Sequence, residues 1–390
     1  MPHDSGSSPA PVLTVMASLV LALLAAAGLW LPQPAQAADA PGTLIRAEPM
    51  PGAPDGATAY RILYASEGLD GQAIPVSGVI IVPPGPAPAE GRPVVAWAHP
   101  TTGVVSRCAP SLARVLFAGI QGLEAMLARG YVVAATDYPG LGTPQTHPYL
   151  VGLSEGRAVL DSVRAARQIE AAGAGRAFAV WGHSQGGHAS LFAGLLARSY
   201  APELRLAGIA AAAPATDLAA LMRDDAGTGG GNNITAMTLW SWSRVYGIPL
   251  TGVVAPAAIP ALDQLVGECI ERWFDVLARS GPTQVLQKGF LEVDDLSLRE
   301  PWRRLLAENS PGPLPARIPV FISQGTADGL VRPAVTLAYV DELCRGGSAV
   351  RFVQVPDAGH AFIARDTARE AVAWMADRFA GAPAPQDCGG

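Results

Sequence analysis

Lysine is almost absent from this chain: Lys288 is the sole example among 27 basic residues, and nowhere do Lys and Arg gather into a block. With a net charge of −6, that distribution argues against nucleic acid as a partner, because phosphate binding rests on clustered cations. Charge of either sign is scarce, 15% of residues against 49% hydrophobic, which excludes global disorder and leaves ample apolar material for a core. There are no internal repeats, and no group of His, Cys and acidic residues has metal-ligand spacing. The cluster Gly229-Gly230-Gly231 lacks the G-K-[ST] of a phosphate loop. Neither a metal nor a cofactor is expected. At 390 residues the chain has room for one large α/β domain with an insertion, or for two domains.

Residues 1–37 read as an export signal. The apolar run Val12 to Leu31 precedes Pro32-Gln33-Pro34 and then Ala35-Gln36-Ala37, an A-x-A cleavage pattern that makes Ala38 the first mature residue. The n-region carries no Lys or Arg and the run is about long enough to span a bilayer, so an uncleaved anchor is the competing reading. Gly28 and the prolines after Leu31 favour cleavage, and hence a secreted or periplasmic protein. Cysteine is equally sparse, with Cys108, Cys269, Cys344 and Cys388. In an oxidising compartment an even count suggests two disulfides, for which three connectivities exist. Cys388 sits in a Gly/Pro-rich tail, a poor place for a buried thiol.

After an irregular Pro/Gly/Ala-rich lead-in over residues 38–57, Thr58–Ser66 and Pro75–Val82 read as an antiparallel pair. Short apolar strands follow at Val94–Ala98, Tyr131–Asp137, Phe178–Val180 and Leu206–Ala213. Helical periodicity appears at 112–128 and 154–171 and again after Ser184. Such alternation implies an α/β architecture: a mostly parallel sheet with helices on both faces. From 217 to 314 the rhythm breaks into helical pieces with prolines and four of the eight tryptophans, Trp240, Trp242, Trp273 and Trp302. Strand character returns at Val320–Ser323, then a helix at 333–343, a strand at 350–355, a last helix at 363–379 and a tail. A helical cap, 217–314, inserted into a core of 38–216 and 315–390 is therefore expected over a separate second domain.

The strongest chemical signal is Gly182-His183-Ser184-Gln185-Gly186 between an apolar strand and a helix. G-x-S-x-G in that context is a nucleophile elbow: the turn is so sharp that the flanking positions must be small, and the serine is raised above the sheet edge. A serine hydroxyl needs a base to take its proton. Of the six histidines, His360 lies in the loop after the last strand, over the same sheet edge, and is the expected base. Asp328, in Gly325-Thr326-Ala327-Asp328-Gly329, is the expected acid, giving the chain order Ser, Asp, His of the α/β-hydrolase fold, which is the fold expected here. Asp357 and Asp137 are its rivals. The oxyanion formed on attack needs backbone donors. One is the N–H of Gln185; the other comes from the loop after His99, where Pro100 has none, which leaves Thr101 or Thr102, with Thr101 favoured.

A family resemblance rests on His99-Pro100-Thr101-Thr102-Gly103 with Cys108-Ala109-Pro110-Ser111, on Asp137-Tyr138-Pro139-Gly140-Leu141-Gly142, on Val159-Leu160-Asp161-Ser162-Val163-Arg164-Ala165, and on the elbow. Together they span most of Val94 to Gly187, and the chain resembles the secretory lipases of the fungal lipase A type and their bacterial relatives. The resemblance implies an acyl-ester hydrolase with a helical lid, and disulfides Cys108–Cys269 and Cys344–Cys388. Pro100 departs from the glycine that many bacterial relatives have there. The expectation is an exported serine carboxylester hydrolase, a triacylglycerol lipase or broad esterase, whose partner is an ester or lipid at a lipid–water interface. Competing readings are a phenolic-ester (feruloyl-type) esterase, a peptidase on the same fold, and an inert hydrolase fold used as a binding module. The tryptophans of the cap suggest an apolar acyl or aryl group, or simply a core.

Overall fold

Alternate residues along the central strands serve two different cores. On β4 (Arg92–Ala98), Val94 and Ala96 belong to one buried cluster and Val95 and Trp97 to the other. On β6 (Ala174–His183), Phe178 and Val180 divide from Ala179 and Trp181 in the same way. Because side chains alternate across a strand, a run that is apolar at every position must be covered on both faces. That explains why these strands read as continuous hydrophobic runs.

The structure is a computed structural model that describes residue 1 and residues 40–54, 56–271 and 279–389. The export signal expected over residues 1–37 lies, but for its first residue, outside the described residues, as does Trp273. The nine-stranded sheet has the order β1-β2-β3-β5-β4-β6-β7-β8-β9. Here β1 is Leu44–Met50, β2 Thr58–Glu67, β3 Ala73–Val82, β5 Val132–Thr136, β7 Arg205–Ala212, β8 Val320–Gly325 and β9 Val350–Val355. Pairings from β1 to β3, and β3 with β5, are antiparallel; from β5 to β9 every pairing is parallel. The fold is thus α/β with a mostly parallel sheet.

Two short helices, α1 (Leu116–Gly119) and α2 (Leu123–Ala128), precede β5. Helix α3 (Gly152–Ala166) and helix α4 (Gln185–Tyr200) follow β5 and β6. Their buried Val159, Val163 and Leu191 join the cluster on one face, while Val372 and Met375 of the closing helix, Ile363–Phe379, pack into the other. Two expectations need correction. Residues 44–50 form a strand where an irregular lead-in was expected: β1 is an edge strand exposed along most of its length, so no apolar alternation marks it. The single helix expected over 112–128 is broken, because Gly122 takes φ +82° between α1 and α2, a left-handed conformation that glycine adopts without strain.

Between β7 and β8 the chain forms α5 (Leu218–Asp224), α6 (Gly229–Val245), α7 (Ile259–Gly267), α8 (Ser280–Gly289) and α9 (Trp302–Glu308). An isolated bridge joins Val254 and Leu291 within this segment. Strand β8 then pairs directly with β7, so the sheet continues across the interruption. Trp242 and Trp302 are buried and stacked, with ring centroids 6.5 Å apart. Two disulfides are present, Cys108–Cys269 and Cys344–Cys388. The first fastens the loop after β4 to the insertion; the second fastens the C-terminal tail to the helix Pro333–Arg345.

Candidate active site

Strand β6 ends at His183 and α4 begins at Gln185, leaving Ser184 alone to reverse the chain. It does so at φ +56°, a conformation that costs of order 1–3 kcal/mol for a residue with a side chain. The neighbouring strands leave no alternative. A Cβ on Gly182 would stand 2.1 Å from the Gly186 carbonyl oxygen, and one on Gly186 would stand 1.9 Å from that of Ala98. The backbone is pinned by Ser184 N–H donating to Ala212 O at 2.9 Å.

His360 comes from the loop after β9 and Asp328 from the loop after β8. His360 Nε2 lies 2.9 Å from Ser184 Oγ, and His360 Nδ1 lies 2.8 Å from Asp328 Oδ2. The Asp328 side chain is wholly buried and also accepts from Gln324 Nε2 and, at 2.9 Å each, from the backbone N–H groups of Leu330 and Val331. Burial acts to raise its pKa. The hydrogen bond and charge of His360, with the two N–H groups, outweigh that and hold the carboxyl below its ordinary range. Asp328 is therefore an ionised acceptor facing Nδ1, which places the Nδ1 proton on the imidazole and turns a lone pair on Nε2 toward the serine.

His360 Nδ1 pairs with Asp328 and with neither rival carboxylate. Asp137 is buried beneath the sheet edge, accepting from Ser77, from Ser111 Oγ and from Ser111 N–H. Asp357 is exposed at φ +57°, with its N–H bound to Thr326 Oγ1.

For the oxyanion, Gln185 occupies the first helical position of α4, where backbone N–H groups have no intrahelical acceptor. In the loop after β4 the two threonines part company. Thr101 Oγ1 lies 2.8 Å from the Tyr149 hydroxyl, whereas the Thr102 carbonyl accepts the N–H of Ile270 in the insertion at 2.8 Å. Pocket walls around Ser184 and Gln185 come from Tyr149, Leu150 and Ala215, from Leu218, Leu221 and Met222 of α5, and from Ile234 of α6. No described tryptophan lines this pocket: Trp242 and Trp302 are core residues, and aliphatic side chains meet the cavity instead. Among the described residues no cluster could hold a metal ion, and no helix is long and apolar enough to cross a membrane.

A family model for secretory lipases matches residues 118–387, well over half of the chain. The chain belongs to the secretory lipase family. The chain is 26% identical over 88% of its length to a probable inactive lipase of Mycobacterium tuberculosis, covering 79% of that protein. To a secreted triacylglycerol lipase of Malassezia globosa it is 26% identical, over 85% of this chain and 73% of the relative. Among solved structures, Candida antarctica lipase A superposes with a TM-score of 0.73 at 20% identity, over 90% of this chain and 85% of that one. A rice cell wall degrading esterase from Xanthomonas oryzae gives 0.72 at 20%, over 88% and 98%. Both show the α/β-hydrolase fold.

Several residues around the site carry little mark in the sequence. His183 donates from Nε2 to the carbonyl of His360, and burial with the nearby His360 charge pushes its pKa down to about 3. Glu155, His147 and His188 are fully buried behind the elbow. The one available signal was that His183 and His188 flank Ser184 so closely that the turn must carry them into the site; nothing in the sequence places Glu155 there.

Proposed function

We propose that this protein is an exported serine carboxylester hydrolase, a lipase or broad esterase, working through Ser184, His360 and Asp328. The observation that carries the reading is the unbroken line of hydrogen bonds from Ser184 Oγ through both His360 nitrogens to Asp328. In that line His360 Nε2 takes the serine proton as Oγ attacks the ester carbonyl, and Asp328 holds the ring and stabilises the imidazolium that forms. The N–H groups of Gln185 and Thr101 receive the oxyanion. His360 then protonates the leaving alcohol, and water, activated by the same histidine, hydrolyses the acyl-enzyme.

The segment 217–314 serves as the cap, and the aliphatic pocket beneath α5 and α6 takes the apolar acyl group of the substrate. Two disulfides support a working place outside the cytoplasm. A fluorophosphonate probe tests the reading. Labelling that maps to Ser184, with turnover of p-nitrophenyl esters, is the expected result; no labelling would make this an inert hydrolase fold, the state that the name of the M. tuberculosis relative describes for that protein. A series of acyl and aryl esters then separates lipase from phenolic esterase. Tributyrin assayed below and above its solubility limit tests the lid: a jump in rate at the limit is the mark of a cap that opens at an interface.

A further inference from the structure

Four polar side chains behind the nucleophile take no part in the mechanism above, and all are buried: Glu155, His147 and His188 show no exposure and Gln185 1%. They form one network centred on the residue that follows the nucleophile. The Gln185 amide nitrogen donates to Glu155 Oε1 at 2.7 Å and to His147 Nε2 at 3.1 Å. Glu155 Oε1 also accepts the N–H of Leu150 at 2.9 Å, and Oε2 lies 2.9 Å from His188 Nδ1.

The proton positions follow from the acceptors. His147 Nδ1 faces the Pro139 carbonyl at 2.8 Å, so it must carry the proton, which leaves Nε2 as the acceptor that Gln185 needs. His188 Nε2 faces the carbonyl of Asn309 at 2.7 Å and must likewise donate, so its contact with Glu155 Oε2 holds one further proton, on Nδ1 or on the carboxyl. Asn309 Oδ1 in turn accepts the N–H of Gly152 at the start of α3. With both amide protons committed, Gln185 has one orientation: a flipped amide would set its oxygen against Glu155. Its Oε1 is buried with no hydrogen-bond partner, so the orientation is enforced by the network and not by the oxygen's own needs.

We infer that Glu155 and His147 are positioning residues that fix the Gln185 peptide, and hence the oxyanion donor, by clamping the Gln185 side chain from behind the elbow. The inference rests on the proposed hydrolase reading, in which the Gln185 N–H receives the oxyanion. That donor does its work in the transition state, so displacing it lowers kcat and leaves KM nearly unchanged. Small displacements matter on this scale, since about 1 Å of misplacement can cost on the order of 100-fold.

The test compares Gln185→Leu, Glu155→Leu and Glu155→Gln, with kcat expressed per site titrated by a fluorophosphonate so that misfolded protein is not counted. Gln185→Leu and Glu155→Leu are expected to lose about tenfold or more in kcat, with KM within about twofold. Both should also weaken inhibition by phenylboronic acid, whose tetrahedral adduct carries the oxyanion, by a similar factor. Glu155→Gln keeps an acceptor for Gln185 and Leu150 and can donate to His188 Nδ1, so it should recover most of the kcat that Glu155→Leu loses. Wild-type kcat per titrated site in Gln185→Leu overturns the clamp, as does a Glu155→Gln protein no better than Glu155→Leu. Neither result touches the hydrolase reading, which falls only if Ser184→Ala still turns over esters.

Discussion

His183 Nε2 stands 2.9 Å from the carbonyl oxygen of His360, so the residue before the proposed nucleophile holds the loop that carries the proposed base. Buried and with its pKa down at about 3, His183 is neutral over the working range and its Nε2 proton is always available. Replacing it with Leu removes the tether and is expected to lower kcat/KM by about tenfold, whereas Gln, which can still donate, should recover part of the loss. Equal rates for the two variants would count against the tether.

Asp328 sets the tautomer of His360. Asp328→Asn keeps the shape but offers an amide N–H where an acceptor is needed, and the expected loss in kcat is about 10⁴-fold with little change in secondary structure by circular dichroism. Because the Asp328 carboxyl is held below its ordinary range, the stability it contributes is present at neutral pH and disappears as pH falls through its folded-state value.

Neutral buried histidines make acid the weak side of this fold. His147 and His183 have pKa values pushed down to about 4 and about 3 by burial, while in the unfolded chain each binds a proton near the ordinary pKa of about 6.5. Between those values the unfolded state holds more protons, so stability falls with falling pH, by up to about 1.4 kcal/mol per pH unit for each histidine. Urea unfolding of wild type and His147→Gln checks this. The stability gap between them should shrink from pH 7 toward acid; a gap independent of pH contradicts it.

The two disulfides should differ in consequence. Loss of Cys344–Cys388 frees a tail and is expected to cost about 2–4 kcal/mol while kcat per folded molecule holds. Cys108–Cys269 sits against the oxyanion loop: a Cβ on Gly103 would meet the Cys108 sulfur at 2.6 Å, Ile270 N–H binds Thr102 O, and Arg107 reaches the Gly267 carbonyl. Replacing both of these cysteines with Ser should therefore lower kcat as well as stability. Steady-state kinetics beside thermal melts separates the two cases.

Much of the fold was legible because its central strands are buried on both faces: Val94–Ala98 and Phe178–Val180 have no polar position to confuse the pattern. The edge escaped notice for the opposite reason, since Leu44–Met50 is exposed along most of its length and carries no periodic signal. At the candidate site, the meeting of Ser184, Asp328 and His360 was legible because a sharp turn constrains its neighbours and because loops after parallel strands share one sheet edge. Glu155 could not. It reaches Gln185 from α3, 30 positions earlier in the chain, and only the packing of two helices brings them together. Of the two readings the cap tryptophans left open, Trp242 and Trp302 take that of a core: they fill the interior of the insertion, and leucine and methionine face the pocket.

The most direct measurement of the central claim is hydrolysis of p-nitrophenyl butyrate by the purified protein and by its Ser184→Ala variant under the same conditions. The account predicts turnover by the wild type and a loss of about 10⁵-fold or more in kcat on removing the hydroxyl. Hydrolysis by Ser184→Ala at the wild-type rate would contradict it.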